Sequence, residues 1–273
     1  MKTKKIMWTD ISISIYDDNF DETILDDAFD IFHKNEIIFS RFDKNSLLSK
    51  LNKNKILEVN KDFINIFQLS KFFHKKTNWY FNPLINLNNI WYSESFDNKK
   101  FYKKESKASL DFDSIKIDWN KISLQENQNL DFGWIVKWWT VDLVANFLKD
   151  NWIKYFLIDA WWDISFTSDK WENINIWINN PIINNINKVI SSKNKAICTS
   201  WIYKRKWQIN WKEYNHILDP KTNQNNFDIL SITIVSNYCV IGDVYATSCI
   251  AMWFEKAKIF LEKEKIKYFI IKK

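Results

Sequence analysis

Apolar and polar residues alternate over residues 11–16, and this period of two predicts a strand. The period then lengthens. Residues 21–36 and 61–76 carry apolar side chains at helical spacing, the second with Phe63, Ile64, Phe67, Phe72 and Phe73 before a stop at Asn78-Trp79. Residues 114–118 and 121–124 flank Asp118-Trp119-Asn120 and predict a hairpin. Residues 140–149 predict a helix that leaves through Asn151-Trp152. Residues 154–160, 173–178 and 196–200 read as strands, and 206–214 as a second hairpin around Asn210-Trp211. Ile229 to Ser236 reads as a buried strand, 243–252 and 254–264 as a helix broken near Trp253, and 267–271 as a closing strand. This mixed order with several hairpins favours an α+β fold over a doubly wound sheet. No internal repeat and no Pro/Gly-rich linker divides the chain, which predicts one domain over residues 1–273.

Composition changes how the turns are read. The chain holds 2 Gly and 16 Trp. Together they come close to the roughly 19 Gly that an average usage of about 7% would give. Trp follows Asn or Asp in Asn78-Trp79, Asp118-Trp119, Asn151-Trp152 and Asn210-Trp211, slots that ask for a positive φ. The doublets Trp138-Trp139 and Trp161-Trp162 each sit beside charged residues. These positions read as glycine written as tryptophan. UGA means Trp in one variant genetic code and Gly in another, and the abundance of Lys, Asn and Ile fits an AT-rich genome. The competing reading is a truly Trp-rich binder of nucleic acid or carbohydrate.

The formal charge is +6 and the pI near 8.9, but acidic and basic residues are interspersed. That describes a solvated surface, and no nucleic-acid partner is expected. Cys198, Cys239 and Cys249 are odd in number and lack CxxC spacing, which suits reduced structural thiols. No apolar stretch follows the basic start Met1-Lys2-Thr3-Lys4-Lys5, and no run of apolar residues is long enough to span a membrane. No lipobox Cys is present either, so the chain as written is expected to be cytoplasmic.

Four segments could carry chemistry. Residues 131–142, with Gly133 and Lys137, form a small-residue loop entering a helix once Trp is read as Gly. Helix amides plus a lysine suit a phosphate, although such a loop is often merely structural. Asp159-Ala160 leads through Trp161-Trp162 to Asp163, a tight turn that presents a carboxylate. His216 precedes the turn Asp219-Pro220 in a polar loop and is the candidate proton acceptor. His33 and His74 lie on predicted helices and read as surface residues. Asp243 and Thr247, four apart, share a helix face and offer hard oxygen ligands for Mg²⁺; the alternative is a capping Asp and a buried Thr.

In this order the segments resemble the ApbE family, the FAD:protein FMN transferases. Met7-Trp8-Thr9 resembles the family's Met-Gly-Thr, and Ser40-Arg41-Phe42 its Ser-Arg-Phe/Tyr. Asn82-Pro83 with Ile90-Trp91-Tyr92 resembles Asp-Pro and Trp-Gly-Phe. Residues 131–142 resemble Asp-Leu-Gly-Gly-Ile-Ala-Lys-Gly-Tyr-Ala-Val-Asp, and 159–164 resemble Asn-Ala-Gly-Gly-Asp-Ile. The His216 segment resembles His-Ile-Ile-Asp-Pro-Arg-Thr-Gly, and 243–247 resemble Asp-Ala-Leu-Ala-Thr. Most family glycines in these motifs are Trp here. Asp159, Val136 and Asn223 depart from the family's Asn, Ala and Gly, and Trp139 and Trp207 are the two tryptophans least readily converted.

The resemblance implies an ApbE-like, T-fold-like architecture: mixed, mostly antiparallel sheets with packed helices and a nucleotide cleft between them. It implies cleavage of FAD, transfer of FMN to a Thr or Ser hydroxyl of an acceptor protein, and release of AMP. The acceptor would be a subunit of a redox complex. Asp243, Thr247 and the backbone carbonyl of Trp134 would hold Mg²⁺. His216 would take the acceptor proton. Asp131 and Lys137 would line the FAD site, while Met7, Phe42, Ile90, Trp91, Tyr92 and Leu218 would contact the nucleotide. An FAD pyrophosphatase and a basic aromatic nucleic-acid module are the alternatives.

Overall fold

The computed structural model describes residues 1–84, 109–169, 173–180, 182–183, 185–203 and 206–273. Along the chain run β1 (Lys2–Ile6), β2 (Thr9–Ile15), α1 (Thr23–Phe39), α2 (Leu47–Asn54), β3 (Ile56–Glu58), α3 (Lys61–Lys76), β4 (Lys116–Asp118) and β5 (Lys121–Ser123). Then come α4 (Val136–Asp150), β6 (Tyr155–Ala160), β7 (Ile164–Ser168), β8 (Ile174–Asn180), β9 (Asn185–Ser192) and β10 (Lys195–Trp201). The last part holds β11 (Lys206–Ile209), β12 (Lys212–Asn215), β13 (Leu218–Asp219), β14 (Gln224–Asn225), β15 (Ile229–Ser236), α5 (Cys239–Ala251), α6 (Phe254–Lys263) and β16 (Lys267–Lys272). The fold is α+β.

Its frame is a seven-stranded sheet in the order β1-β2-β6-β7-β10-β15-β16. Every neighbouring pair in it is antiparallel. Strand alternation sends Phe156, Ile158 and Ala160 of β6, Cys198 of β10, and Ile232 and Ile234 of β15 into the main core, where the helices pack. The opposite face carries a smaller cluster of Phe166, Ile197 and Val235 under Ile178 and Ile190 of the β8–β9 ribbon. Helix α5 is buried almost all round, as its apolar composition requires. Gly242 permits this, because a Cβ there would lie 2.8 Å from Cys198 Sγ and 3.0 Å from Ser236 Oγ.

Helix ends follow their sequences. Asn60 caps α3, its side chain accepting from the Phe63 amide, and Ser46 caps α2 by accepting from the Ser49 amide. The expected strands and helices are present, with α4 starting four residues early at Val136 and α5 at Cys239. Asp243 therefore lies in the second turn of α5, and the capping alternative falls. Strands β1, β3, β7, β9, β13 and β14 and helix α2 are additions; α2 buries Leu48 and Leu51, an apolar pair too short to stand out in the sequence. His74 departs from its surface assignment: it is buried at the end of α3, with Nδ1 2.7 Å from the Phe81 carbonyl. At helical spacing it follows Phe63, Phe67 and Ser70 on the buried face of α3, and the turn after Thr77 folds back over it.

Turns are where the backbone is unusual. Among the described residues thirteen non-glycine positions have a positive φ, and seven of them are Trp: Trp8, Trp79, Trp119, Trp152, Trp161, Trp162 and Trp211. Met7-Trp8, Trp161-Trp162 and Asn210-Trp211 are two-residue hairpin loops with both φ positive, the signature of a type I′ turn. Trp119 holds the first place of the two-residue β4–β5 loop, where a II′ turn wants Gly. At the end of α4 the Trp152 amide donates to the Lys149 carbonyl and the Ile153 amide to Leu148, which makes Trp152 the left-handed residue of a Schellman ending. An L-residue in this region costs about 1–2 kcal/mol. The indoles recover little of it, since Trp119 is 93% and Trp211 95% exposed. Trp119→Gly and Trp211→Gly are each expected to raise the free energy of unfolding by about 1 kcal/mol in urea titrations. A loss of stability in either would contradict this account of the turns.

Candidate active site

Most of the sequence-predicted residues meet at one end of the main sheet. Ile11 lies opposite Ala160, so the Met7-Trp8 and Trp161-Trp162 turns share an edge. The C-terminal end of β10 reaches the same edge, with Trp201 and Trp161 ring centroids 5.8 Å apart. His216 arrives on the loop after β12, its ring stacked on Trp134 at 5.8 Å and edge-on to Trp201 at 6.3 Å.

The His216 loop is held by side-chain amides. Asn215 Oδ1 accepts from the Ile217 amide at 2.8 Å. Asn225 Nδ2 donates to the Asn215 carbonyl at 2.8 Å and to the Ile217 carbonyl at 2.7 Å, bracketing the histidine. Asp219 closes the following turn by accepting from the Lys221 amide at 2.8 Å and the Thr222 hydroxyl at 3.0 Å. The sequence signal for this bracket was the Asx-rich composition on both sides of His216.

Lys137 occupies the first turn of α4, and Asp243 and Thr247 lie one turn apart on α5. Asp243 is buried, and its Oδ2 has no hydrogen-bond partner among the described residues. Burial pushes its carboxyl well up, opposed by the Lys137 charge and a hydrogen bond with Trp138. Asp163, fully enclosed at the end of the 161–162 turn, is pushed up by burial and by the nearby Asp243, against Lys137 and the Thr199 amide 2.6 Å away. The Thr247 hydroxyl lies 2.7 Å from the Ser200 hydroxyl. Asp163 and Ser200 are site residues that the sequence motifs did not single out for a role. A carboxylate at the end of the 159–163 turn was the visible signal for the first; Ser200 left none.

Can these groups hold Mg²⁺? No cluster of three or more His, Cys, Asp or Glu side chains suited to a metal occurs among the described residues. One buried carboxylate oxygen without a partner, beside a hydroxyl, nonetheless suits a hard cation that keeps waters and phosphate oxygens for its other positions.

A second group forms around Asp131. Arg41 pairs with Asp131 and lies over the Phe42 ring at 4.8 Å, and Phe42 meets Trp8 at 4.8 Å. Asp131 Oδ1 also accepts from the Gly133 amide at 2.8 Å, and the Met7 amide donates to Glu36 at 2.8 Å. Phe42 is exposed and Leu218 is buried. The predicted contacts Ile90, Trp91 and Tyr92 lie outside the described residues.

Trp134, His216, Leu218 and Thr247 line one pocket with Tyr80, Phe81 and Asn82, but its volume is only about 20 Å³. That is room for a water, whereas ligand pockets run to hundreds of Å³. Indoles crowd the neighbouring groups: Trp138 is buried against Asp243, and the Lys137 ammonium sits 3.8 Å from the Trp138 ring and 5.5 Å from that of Trp161. A wider depression of about 580 Å³, lined by Phe227, Trp253, Phe254 and Lys272, contains none of the predicted site residues.

An antiparallel sheet that gathers a lysine, an imidazole, a hydroxyl and buried carboxylates at one edge is the framework of a group-transfer enzyme, and comparison with known proteins agrees. A model of the ApbE family matches residues 7–270. The FAD:protein FMN transferase of Buchnera aphidicola subsp. Schizaphis graminum is 26% identical over 261 residues, 88% of this chain and 76% of its own length. The protein of the same name from Treponema pallidum is 22% identical over 267 residues, 88% of this chain and 74% of its own. Among solved structures, the ApbE protein of Thermotoga maritima superimposes with a TM-score of 0.88 at 18% identity, covering 99% of this chain and 93% of its own. The apo flavinyl transferase ApbE of Pseudomonas stutzeri gives 0.87 at 16% identity, covering 100% and 90%. The chain belongs to the ApbE family, and its enzyme class is transferase.

Among the described residues no helix is long and apolar enough to cross a membrane.

Proposed function

We propose that this protein breaks the pyrophosphate of FAD and moves FMN onto a Thr or Ser hydroxyl of an acceptor protein, with AMP as the leaving group. The observation that carries this reading is the convergence of His216 and Thr247 on one pocket with the loop that delivers Lys137 and faces Asp243. The names of the family relatives support the same chemistry.

Such a reaction depends on positioning and charge neutralisation. The acceptor oxygen forms a bond to the FMN phosphorus as the bond to the AMP oxygen breaks. His216 takes the acceptor's proton; imidazole is suited to this because its ordinary pKa lies near neutrality. The Asn215–Asn225 bracket holds the ring for that transfer. Lys137 turns its ammonium toward the phosphates from the start of α4, where the helix amides add positive potential. Asp131, tied to Arg41, fixes the loop that carries Lys137. Mg²⁺ held by Asp243, Thr247 and the carbonyl of residue 134 would neutralise charge on the pyrophosphate. FAD reaches these groups only if the indoles at 134, 138 and 161 are absent or swing out.

The test is product analysis with FAD, Mg²⁺ and a Thr-bearing acceptor, on the protein as its own cells make it. We expect a fluorescent, FMN-bearing acceptor and AMP; free FMN with an unlabelled acceptor would mean hydrolysis instead. His216→Ala should cut transfer by about 100-fold or more while sparing FAD binding measured by fluorescence quenching. Unchanged transfer would remove His216 from the base role. Asp243→Ala should abolish transfer together with its response to Mg²⁺, and a variant as active as its parent would remove the metal role.

A further inference from the structure

We infer that the working polypeptide carries glycine at the seven positions written Trp8, Trp79, Trp119, Trp152, Trp161, Trp162 and Trp211, and true tryptophan at Trp139 and Trp207. The assignment rests on backbone conformation. All seven have φ between 51° and 76°. All seven side chains are also exposed, so no core contact explains an aromatic residue there. The other positive-φ residues are three Asn, two Lys and one Met. Asn tolerates this region, and an isolated Lys can be carried at a helix end, as Lys55 and Lys265 are. A bulky ring at both central places of a type I′ turn, as at 161–162, has no such precedent in the physics of the turn.

Trp139 and Trp207 differ on every count. Neither has a positive φ. Trp207 is buried and stacked on Tyr214 at 6.3 Å, and Trp139 packs edge-on to Phe39 at 6.4 Å beside the main core. The consequence for the site is direct: without an indole at 161, the Lys137 ammonium loses one of the two rings it lies over, keeping that of Trp138, and the Trp201 ring loses its neighbour.

Peptide sequencing by mass spectrometry of the protein purified from its own cells tests this without reference to activity. Residues 207–212 form one tryptic peptide that holds both kinds of position. We expect Trp at 207 and Gly at 211 in that peptide, Gly at 161 and 162 in the peptide from Tyr155, and Trp at 139. Trp at any of the seven positions, or Gly at 139 or 207, overturns the assignment.

A separate observation singles out Asp142. Its buried carboxylate reaches from α4 to the start of α5, accepting from the Cys239 amide at 2.7 Å and the Val240 amide at 2.9 Å. The residue before that helix, Tyr238, supplies no side-chain cap. We propose that Asp142 is a positioning residue that fixes the depth of α5 against α4, and so sets Asp243 and Thr247 relative to Lys137. This rests on the reading of Asp243 and Thr247 as the metal-binding pair. The test is Mn²⁺ titration of the full chain and its variants by calorimetry, beside thermal unfolding. Asp142→Ala should bind Mn²⁺ about 10-fold more weakly, and Asp142→Asn, which keeps one acceptor oxygen, should recover part of the loss. Binding equal to the parent in Asp142→Ala overturns the proposal. A parent that binds no Mn²⁺ overturns the metal reading and this proposal with it.

Discussion

The left-handed backbone of a tight turn is the constraint on which the rest of the structure depends. The main sheet is antiparallel throughout, and its two tight hairpins, β1–β2 and β6–β7, match its right-handed twist only if their loop residues take positive φ. Here those loops do more than connect strands. The 7–8 and 161–162 turns share one edge of the sheet, and that edge receives His216, Trp201 and the start of α4. Were either turn to relax to negative φ, the flanking strands would splay. Asp163, which follows the second turn and accepts from the Thr199 amide, would leave its neighbours.

Burial then decides the chemistry available at that edge. Asp163 and Asp243 are carboxylates in a dry place with Lys137 as the nearby cation, and desolvation raises both. Two such groups are unfavourable for a fold unless something else compensates them. A divalent cation and a pyrophosphate would do so together, the first satisfying the Asp243 oxygen and the second the lysine. Gly242 is part of the same arrangement, since α5 can deliver Asp243 to the sheet only by pressing its backbone on Cys198. The residues proposed to carry the chemistry thus sit on rigid helices and strands, and the one on a loop, His216, is bracketed by two asparagines.

Much of this was legible in the chain. Period-two and helical patterns located most strands and helices, because one face of each is buried and the other wet. α3 was bounded correctly for that reason, and β15 because it is a continuous run buried on both faces. The short elements β1 and α2 were not: β1 takes its order from strand pairing, and the buried face of α2 amounts to Leu48 and Leu51 behind a serine cap, too little pattern to define a helix. The motif residues Trp134, His216, Leu218 and Thr247, from segments far apart in sequence, line one pocket. Ser200 could not be read, because its contact with Thr247 joins segments distant in sequence; the burial of His74 could, because it shares a helix face with Phe63 and Phe67. The tryptophans were legible as misfits of composition, and their φ angles give that misfit a physical form.

The most direct measurement is a crystal structure of the protein isolated from its own cells, with FAD and Mg²⁺ bound. Glycine at residues 161 and 162 predicts two positive φ angles, no side-chain density there, and a pyrophosphate beside them flanked by His216, Lys137, Asp243 and Thr247. Indole density at these positions, a turn with negative φ, or FAD bound elsewhere on the molecule would contradict it.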